Sequence, residues 1–123
     1  MGPIHCTAII QAGTGQTFSE VIENSCNIGF IQIAQRIGIE SFYKYLDLFG
    51  ITSPTGIDLP GEESGIIVPE EYAKPIDLAV MSYGQTLQAT PIQIAASLAA
   101  IANGGNMIVP HLVKEVTDSY GNI

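Results

Sequence analysis

Apolar residues recur at helical spacing through the first half of the chain. Phe30, Ile33, Ala34 and Ile37 fall at i, i+3, i+4 and i+7, one face of a helix that begins near Asn27 or Ile28. Gly38 supplies its stop. A shorter helix precedes it. Thr17 with Glu20 three residues on forms a capping box, and the helix it starts is expected to run to about Ser25. A third helix follows, with Phe42, Tyr45, Leu46 and Phe49 on one face and Gly50 as its end. Periodicity then disappears. Ser53-Pro54-Thr55-Gly56 and Leu59-Pro60-Gly61-Glu62 are turn-forming, and Pro69 and Pro75 punctuate what comes next. A short helix is predicted from about Ile76 to Ser82. The strongest helical signal is Pro91 to Ala102: Thr90 is its N-cap, Pro91 its first residue, and Gln93 completes a capping box. Asn103-Gly104-Gly105 closes it. Its body, IQIAASLAAIA, is apolar nearly all round, which predicts burial on most sides.

The two ends read differently. Residues 1–16 form a loop by their Gly and Pro content. Leu112 to Thr117 reads as a strand rich in β-branched residues, followed by a hairpin turn at Asp118-Ser119-Tyr120-Gly121-Asn122. A strand needs a neighbour, and the sequence stops inside that turn. The expectation is that the chain is a piece of a larger domain.

Composition narrows the function classes. Hydrophobic residues make up 46% of the 123, enough for a packed core. The net charge is -8 with only four basic residues, which argues against nucleic acid and against anionic membrane surfaces. No apolar run reaches the roughly 18 residues of a membrane helix. The start, MGPIHC, has no signal-peptide pattern, so any targeting segment is expected outside these residues. Cys6 and Cys26 are too few for a disulfide scaffold, and with His5 and His111 they show no metal-ligand spacing. No cofactor or metal is expected.

The candidate chemistry lies at Glu23-Asn24-Ser25-Cys26-Asn27, on the seam between the first two helices. Taken alone, Ser25 and Asn27 read as a helix C-cap and N-cap pair, the commonest work of these residue types. Their neighbourhood changes that reading. The blocks TFSEVIENSCNIGFIQIAQRIG, FYKYLDLFG, TGIDLPGE, MSYGQTLQATPIQIAASLAAIANGG and PHLV, in that order, resemble the transpeptidase domain of class B penicillin-binding proteins from about Thr17 to Val113. That family uses a Ser-x-x-Lys nucleophile, a Ser-x-Asn and a Lys-Thr/Ser-Gly strand. Of these only Ser25-Cys26-Asn27 is present.

The resemblance implies a mainly α chain, the helical lobe of the α/β serine β-lactamase/penicillin-binding-protein transpeptidase fold, with a terminal strand whose partner is missing. Residues 1–123 are then a partial transpeptidase domain carrying the Ser-x-Asn motif, inactive alone. The parent enzyme cross-links peptidoglycan stem peptides through a serine acyl-enzyme and is acylated by β-lactam antibiotics. It sits on the extracytoplasmic face of the bacterial membrane through an N-terminal anchor and works with elongation, division or sporulation proteins. Ser25 is the expected proton-passing hydroxyl and Asn27 the expected amide that holds substrate, both catalytic. TGIDLPGE is expected to brace the helix pair that carries them. The alternative is a non-catalytic module of the same superfamily that senses β-lactams or braces a division complex; a β-lactamase fits the TGIDLPGE and SYGQ blocks less well. Ser41-Phe42-Tyr43-Lys44 matches Ser-x-x-Lys literally but follows Ser-x-Asn instead of preceding it, so it is read as coincidence. For Cys6 and Cys26 two states stay open: free, partly buried thiols, or a disulfide that would persist outside the cytoplasm and sit inside the motif.

Overall fold

The computed structural model describes residues 15–120. The expectations for the loop before Gly15, for His5 and Cys6, and for Gly121 and Asn122 lie outside the described residues. Among the described residues the helices are α1 (Phe18–Glu23), α2 (Asn27–Ile37), α3 (Ile39–Leu48), α4 (Pro75–Met81) and α5 (Pro91–Ala102), with a 3-10 turn at Glu70–Tyr72. The described residues divide into two compact units. Residues 15–45 and Ile66–Gln88 form one, and Leu46–Gly65 with 89–120 form the other.

The first unit is built on short, well-marked helices. Thr17 caps α1 as its sequence predicts: its hydroxyl accepts the Glu20 N–H at 3.3 Å, and the Glu20 carboxylate accepts the Thr17 N–H at 2.7 Å. Those Thr17 donors hold the Glu20 carboxyl below the usual range. Gly38, at φ 82°, ends α2 in a left-handed conformation that suits glycine, and α3 starts at the next residue. α2 packs on α4, whose Leu78, Ala79 and Met81 are buried. The inward face of α3 centres on Tyr43, not on the predicted Tyr45 and Phe49, which are exposed. The reason is polar: the Tyr43 hydroxyl donates to Val68 O at 2.5 Å, so the ring can be buried with its polar end satisfied. Ile66 and Gln88 exchange both backbone hydrogen bonds at 2.9 Å in one isolated antiparallel bridge.

The second unit is organised by one side chain. Gln93, on α5, is fully buried. Its Oε1 accepts from Thr90 N–H at 2.8 Å and Gly65 N–H at 3.1 Å; its Nε2 donates to Ser53 O at 2.8 Å and Ile51 O at 3.1 Å. The amide thus ties the helix start to two points of the irregular segment and uses its full bonding capacity. Ala96, Ser97 and Ala100 complete the buried face of α5. Burial on most sides, expected from its sequence, does not occur: Ile94, Leu98 and Ile101 are 45, 60 and 64% exposed. Among the described residues only the Gln93 face of this helix finds packing partners.

The TGIDLPGE loop folds on itself. Glu62 accepts from Thr55 N–H and Oγ1, each at 2.6 Å, and from Gly56 N–H at 2.9 Å. Asp58 accepts from the backbone N–H groups of Leu112 and Val113 at 2.7 and 2.8 Å. These donors lower both carboxyls below their ordinary range. The loop's side-chain bonds thus tie it to its own residues and to the backbone of residues 112–113. At 112–117, where β-branched residues predict a strand, no ladder forms among the described residues. No described segment lies alongside to exchange hydrogen bonds with it, and Asp58 holds its first two amides instead.

Candidate active site

The seam between α1 and α2 is a Schellman motif. Asn24 is the C-cap of α1 and donates to Glu20 O at 2.9 Å. The next residue, Ser25, donates its N–H to Ile22 O at 3.1 Å, and Cys26 donates to Val21 O at 2.9 Å. These are the 5→2 and 6→1 bonds of that motif, and the usual apolar contact accompanies them, because Val21 and Cys26 form a buried cluster with Phe30 and Ile33 against it. The motif demands a left-handed residue at the position of Ser25, and Ser25 has φ 47°. Glycine is the residue that takes this position without steric cost.

α2 begins immediately. Its N-cap is Cys26, whose Sγ accepts the Gly29 N–H at 3.4 Å. Asn27 is the first helical residue. Ser25 and Asn27 are therefore not the two caps that their types suggest: Asn24 and Cys26 do that work. Ser25 and Asn27 are both exposed on either side of buried Cys26. The turn delivers two polar side chains to solvent from a backbone locked by three hydrogen bonds and a buried contact. A hydroxyl there can give and take a proton, and an amide can both donate and accept. Cys26 itself is disulfide-bonded.

Two features of this turn escaped sequence reasoning. Val21 has no exposed surface and holds the turn by its carbonyl. Gly29 is a helix-weakening residue by its type, yet a Cβ built on it would lie 2.7 Å from both Val21 γ carbons. Ser41 lies on α3, and among the described residues no hydrogen bond joins it to Lys44. Among the described residues no group of three His, Cys, Asp or Glu side chains is placed to hold a metal ion. No described helix is long and apolar enough to cross a membrane.

Comparison with known proteins places this arrangement. Residues 5–122 match the family model of the penicillin-binding protein transpeptidase domain. The chain is 44% identical over 103 residues to Stage V sporulation protein D of Bacillus subtilis, covering 84% of this chain and 16% of that protein. It is 35% identical over 106 residues to penicillin-binding protein PbpB of Mycobacterium tuberculosis, covering 86% of this chain and 16% of the relative. In structure it is similar to penicillin-binding protein 3 of M. tuberculosis in complex with aztreonam, with a TM-score of 0.85, 31% identity, and coverage of 94% of this chain and 26% of that one. The chain thus spans about a sixth of the length of these curated relatives. Its helices are those of the helical lobe of the penicillin-binding-protein transpeptidase fold, and the chain belongs to the penicillin-binding protein transpeptidase domain family.

Proposed function

We propose that this chain is the Ser-x-Asn segment of an extracytoplasmic peptidoglycan D,D-transpeptidase, with Ser25 and Asn27 as its catalytic residues. The observation that carries the assignment is Ser25 at φ 47°. A serine occupies a position that favours glycine, its side chain makes no cap, and it is presented to solvent. Backbone strain of this kind persists where the surrounding structure enforces it, and it clusters at functional sites.

In this reading the nucleophilic serine and its lysine, and the Lys-Thr/Ser-Gly strand, lie in parts of the protein outside residues 1–123. The nucleophile's oxygen bonds to the carbonyl carbon of the penultimate D-Ala of a stem peptide, and its proton passes to a base. The carbon–nitrogen bond to the terminal D-Ala then breaks, and that amine needs a proton to leave. Ser25, able to donate and accept at once, relays it. The acyl group next passes to an amine of a second stem peptide. Asn27 holds the substrate backbone by its side-chain amide, which an aspartate could not match as both donor and acceptor. A β-lactam enters the same path but has no leaving group that departs, so the acyl-enzyme persists. The parent protein is anchored at the outer face of the membrane by an N-terminal segment and works beside cell-wall assembly proteins of elongation, division or sporulation. The relatives' names and the aztreonam complex support the transpeptidase and β-lactam readings, and a similar penicillin-binding protein from Helicobacter pylori in complex with MreC supports the reading of cell-wall assembly partners. The 123-residue chain alone is inactive.

The test uses the complete protein and a fluorescent penicillin. The wild type acylates stoichiometrically at a serine upstream of residue 1. Ser25→Ala slows acylation by about a hundredfold, the usual worth of a positioned proton-transfer group. Asn27→Ala chiefly weakens binding before acylation. Labelling at Ser41, or unchanged acylation in both variants, would sink the assignment.

A further inference from the structure

We infer that Gly29 is a positioning residue for Ser25 and Asn27, acting through its contact with Val21; the inference rests on the catalytic roles proposed for those two residues. Glycine inside a helix costs about 1 kcal/mol relative to alanine. The backbone of Gly29 is ordinary helix, so conformational freedom does not explain its presence. Close approach does. A Cβ at position 29 would sit 2.7 Å from each of the two Val21 γ carbons, a distance real Cβ atoms essentially never show. Reaching ordinary contact, 3.4 Å, requires the gap between Val21 and α2 to open by about 0.7 Å, the difference between 2.7 and 3.4 Å.

That movement would be felt at the motif because of how the turn is tied. Val21 meets α2 twice: its side chain receives Gly29, and its carbonyl holds the Cys26 N–H at 2.9 Å. Gly29 in turn donates its N–H to Cys26 Sγ at 3.4 Å, hooking the first turn of α2 to its own cap. Ser25 belongs to the other side of the joint, held by Ile22 O at 3.1 Å. Asn27 rides on α2, two residues before Gly29. Any retreat of α2 from Val21 thus moves Asn27 relative to Ser25 and loosens the bond that closes the left-handed turn. A displacement approaching 1 Å is enough to cost orders of magnitude in a reaction that depends on alignment.

The experiment is a double-mutant cycle in the complete protein with Gly29→Ala, Val21→Ala and both together. Val21→Ala removes both γ carbons and leaves its Cβ 3.3 Å from the new methyl, close but tolerable. Three quantities are read: the first-order acylation rate constant at saturating fluorescent penicillin, the penicillin concentration at half-saturation, and the melting temperature. Each single change lowers the rate constant by about tenfold or more, one by crowding the joint and the other by slackening it. The double variant returns to within about threefold of wild type. A purely structural role lowers the melting temperature and leaves the rate constant of the folded protein unchanged. A folded Gly29→Ala variant with the wild-type rate constant would therefore overturn the inference. If Gly29→Ala alone does not fold, the comparison of Val21→Ala with the double variant decides: a faster double variant supports the inference, and an equal or slower one overturns it. A wild type that is not acylated, or a Ser25→Ala variant acylated like wild type, overturns the underlying assignment and is recognised before any Gly29 variant is made.

Discussion

Replacing Ser25 by glycine should stabilise the protein while disabling it. A non-glycine residue in the left-handed region costs roughly 1–2 kcal/mol. Glycine removes that cost but adds about 0.5–1 kcal/mol of backbone entropy lost on folding. Ser25 is exposed and its side chain caps neither helix, so little else changes hands. The net expectation for Ser25→Gly is a gain of about 0.5–1 kcal/mol. Ser25→Ala is the control. It also removes the hydroxyl but keeps a Cβ at φ 47°, so its stability should stay within about 0.5 kcal/mol of wild type. Urea unfolding of the complete transpeptidase domain, followed by the midpoint at unchanged slope, separates the two variants. Penicillin acylation, measured on the same preparations, should fall in both. A Ser25→Gly variant less stable than Ser25→Ala would refute the reasoning, because the turn would then not require a left-handed residue. Equal acylation in the glycine variant and the wild type would leave the strain without a functional account.

Gln93→Leu keeps roughly the volume of the side chain but strands two N–H groups and two carbonyls; only the bond to Ile51 O is deeply buried, so we expect a loss of roughly 2–4 kcal/mol in thermal or urea unfolding, and a loss below about 0.5 kcal/mol would contradict the network. Gln93→Glu places a carboxylate against Ser53 O and Ile51 O, so it should destabilise strongly at pH 7 and recover partly in acid, where the neutral acid can donate again; stability that rises with pH would be the wrong sign. Asp58 has its carboxyl lowered from the usual 3.8 by the Leu112 and Val113 N–H groups, so its stabilisation is present above that value and lost as pH falls through the lowered one. Protection of the Leu112 and Val113 amides, relative to their intrinsic exchange rates at each pH, should therefore be high at neutral pH and fall in strong acid, and Asp58→Asn should lower it at neutral pH; no difference between the variant and wild type would refute the clamp. Cys26 is disulfide-bonded, so intact mass after alkylation should show no modified thiol without reductant and two with it; two without reductant would exclude the bond.

The helices were legible wherever the sequence specifies their ends. Thr17 with Glu20, and Thr90 with Pro91 and Gln93, fix α1 and α5 at their starts because capping is local chemistry: a side-chain oxygen three residues from an unpaired N–H. The inward faces were less legible. Tyr43 displaced Tyr45 on α3 through a bond to Val68, twenty-five residues away, which no helical period contains. α5 reads as buried on most sides, yet its exposed face depends on which segments lie against it. The strand at 112–117 failed for the same reason, since β-propensity records a fit to neighbours that the described residues do not supply. At the motif, the family resemblance drew attention to Ser25 and Asn27, but spacing alone misplaced the caps by one residue. Asn24 and Cys26 hold those positions, and a cysteine sulfur as N-cap is too unusual a choice to be read from the sequence.

The contrast between the two units bears on how far local rules can locate a site. In the second unit the unusual polar choices are satisfied within the unit: Gln93 fills its bonding capacity, Glu62 closes its own loop, and Asp58 meets two amides. These residues read as structure. At the α1–α2 joint the rules conflict. A serine sits where glycine belongs, a glycine sits where alanine would make the better helix, and a cysteine caps where serine or aspartate would do so more strongly. Each choice has a local cost, and all three fall within five residues. Thr86, at φ 59°, is the other non-glycine residue with positive φ among the described residues, but three such choices in five residues occur only at the α1–α2 joint among those described, which points to selection for what that turn presents. The glycine lets the helices close, the cysteine's buried sulfur fixes the start of α2, and the backbone so constrained exposes a hydroxyl and an amide two residues apart. The Val21–Gly29 cycle and the Ser25 pair probe that selection from opposite sides. One disturbs the support while keeping both functional groups, and the other relieves the strain while removing one of them.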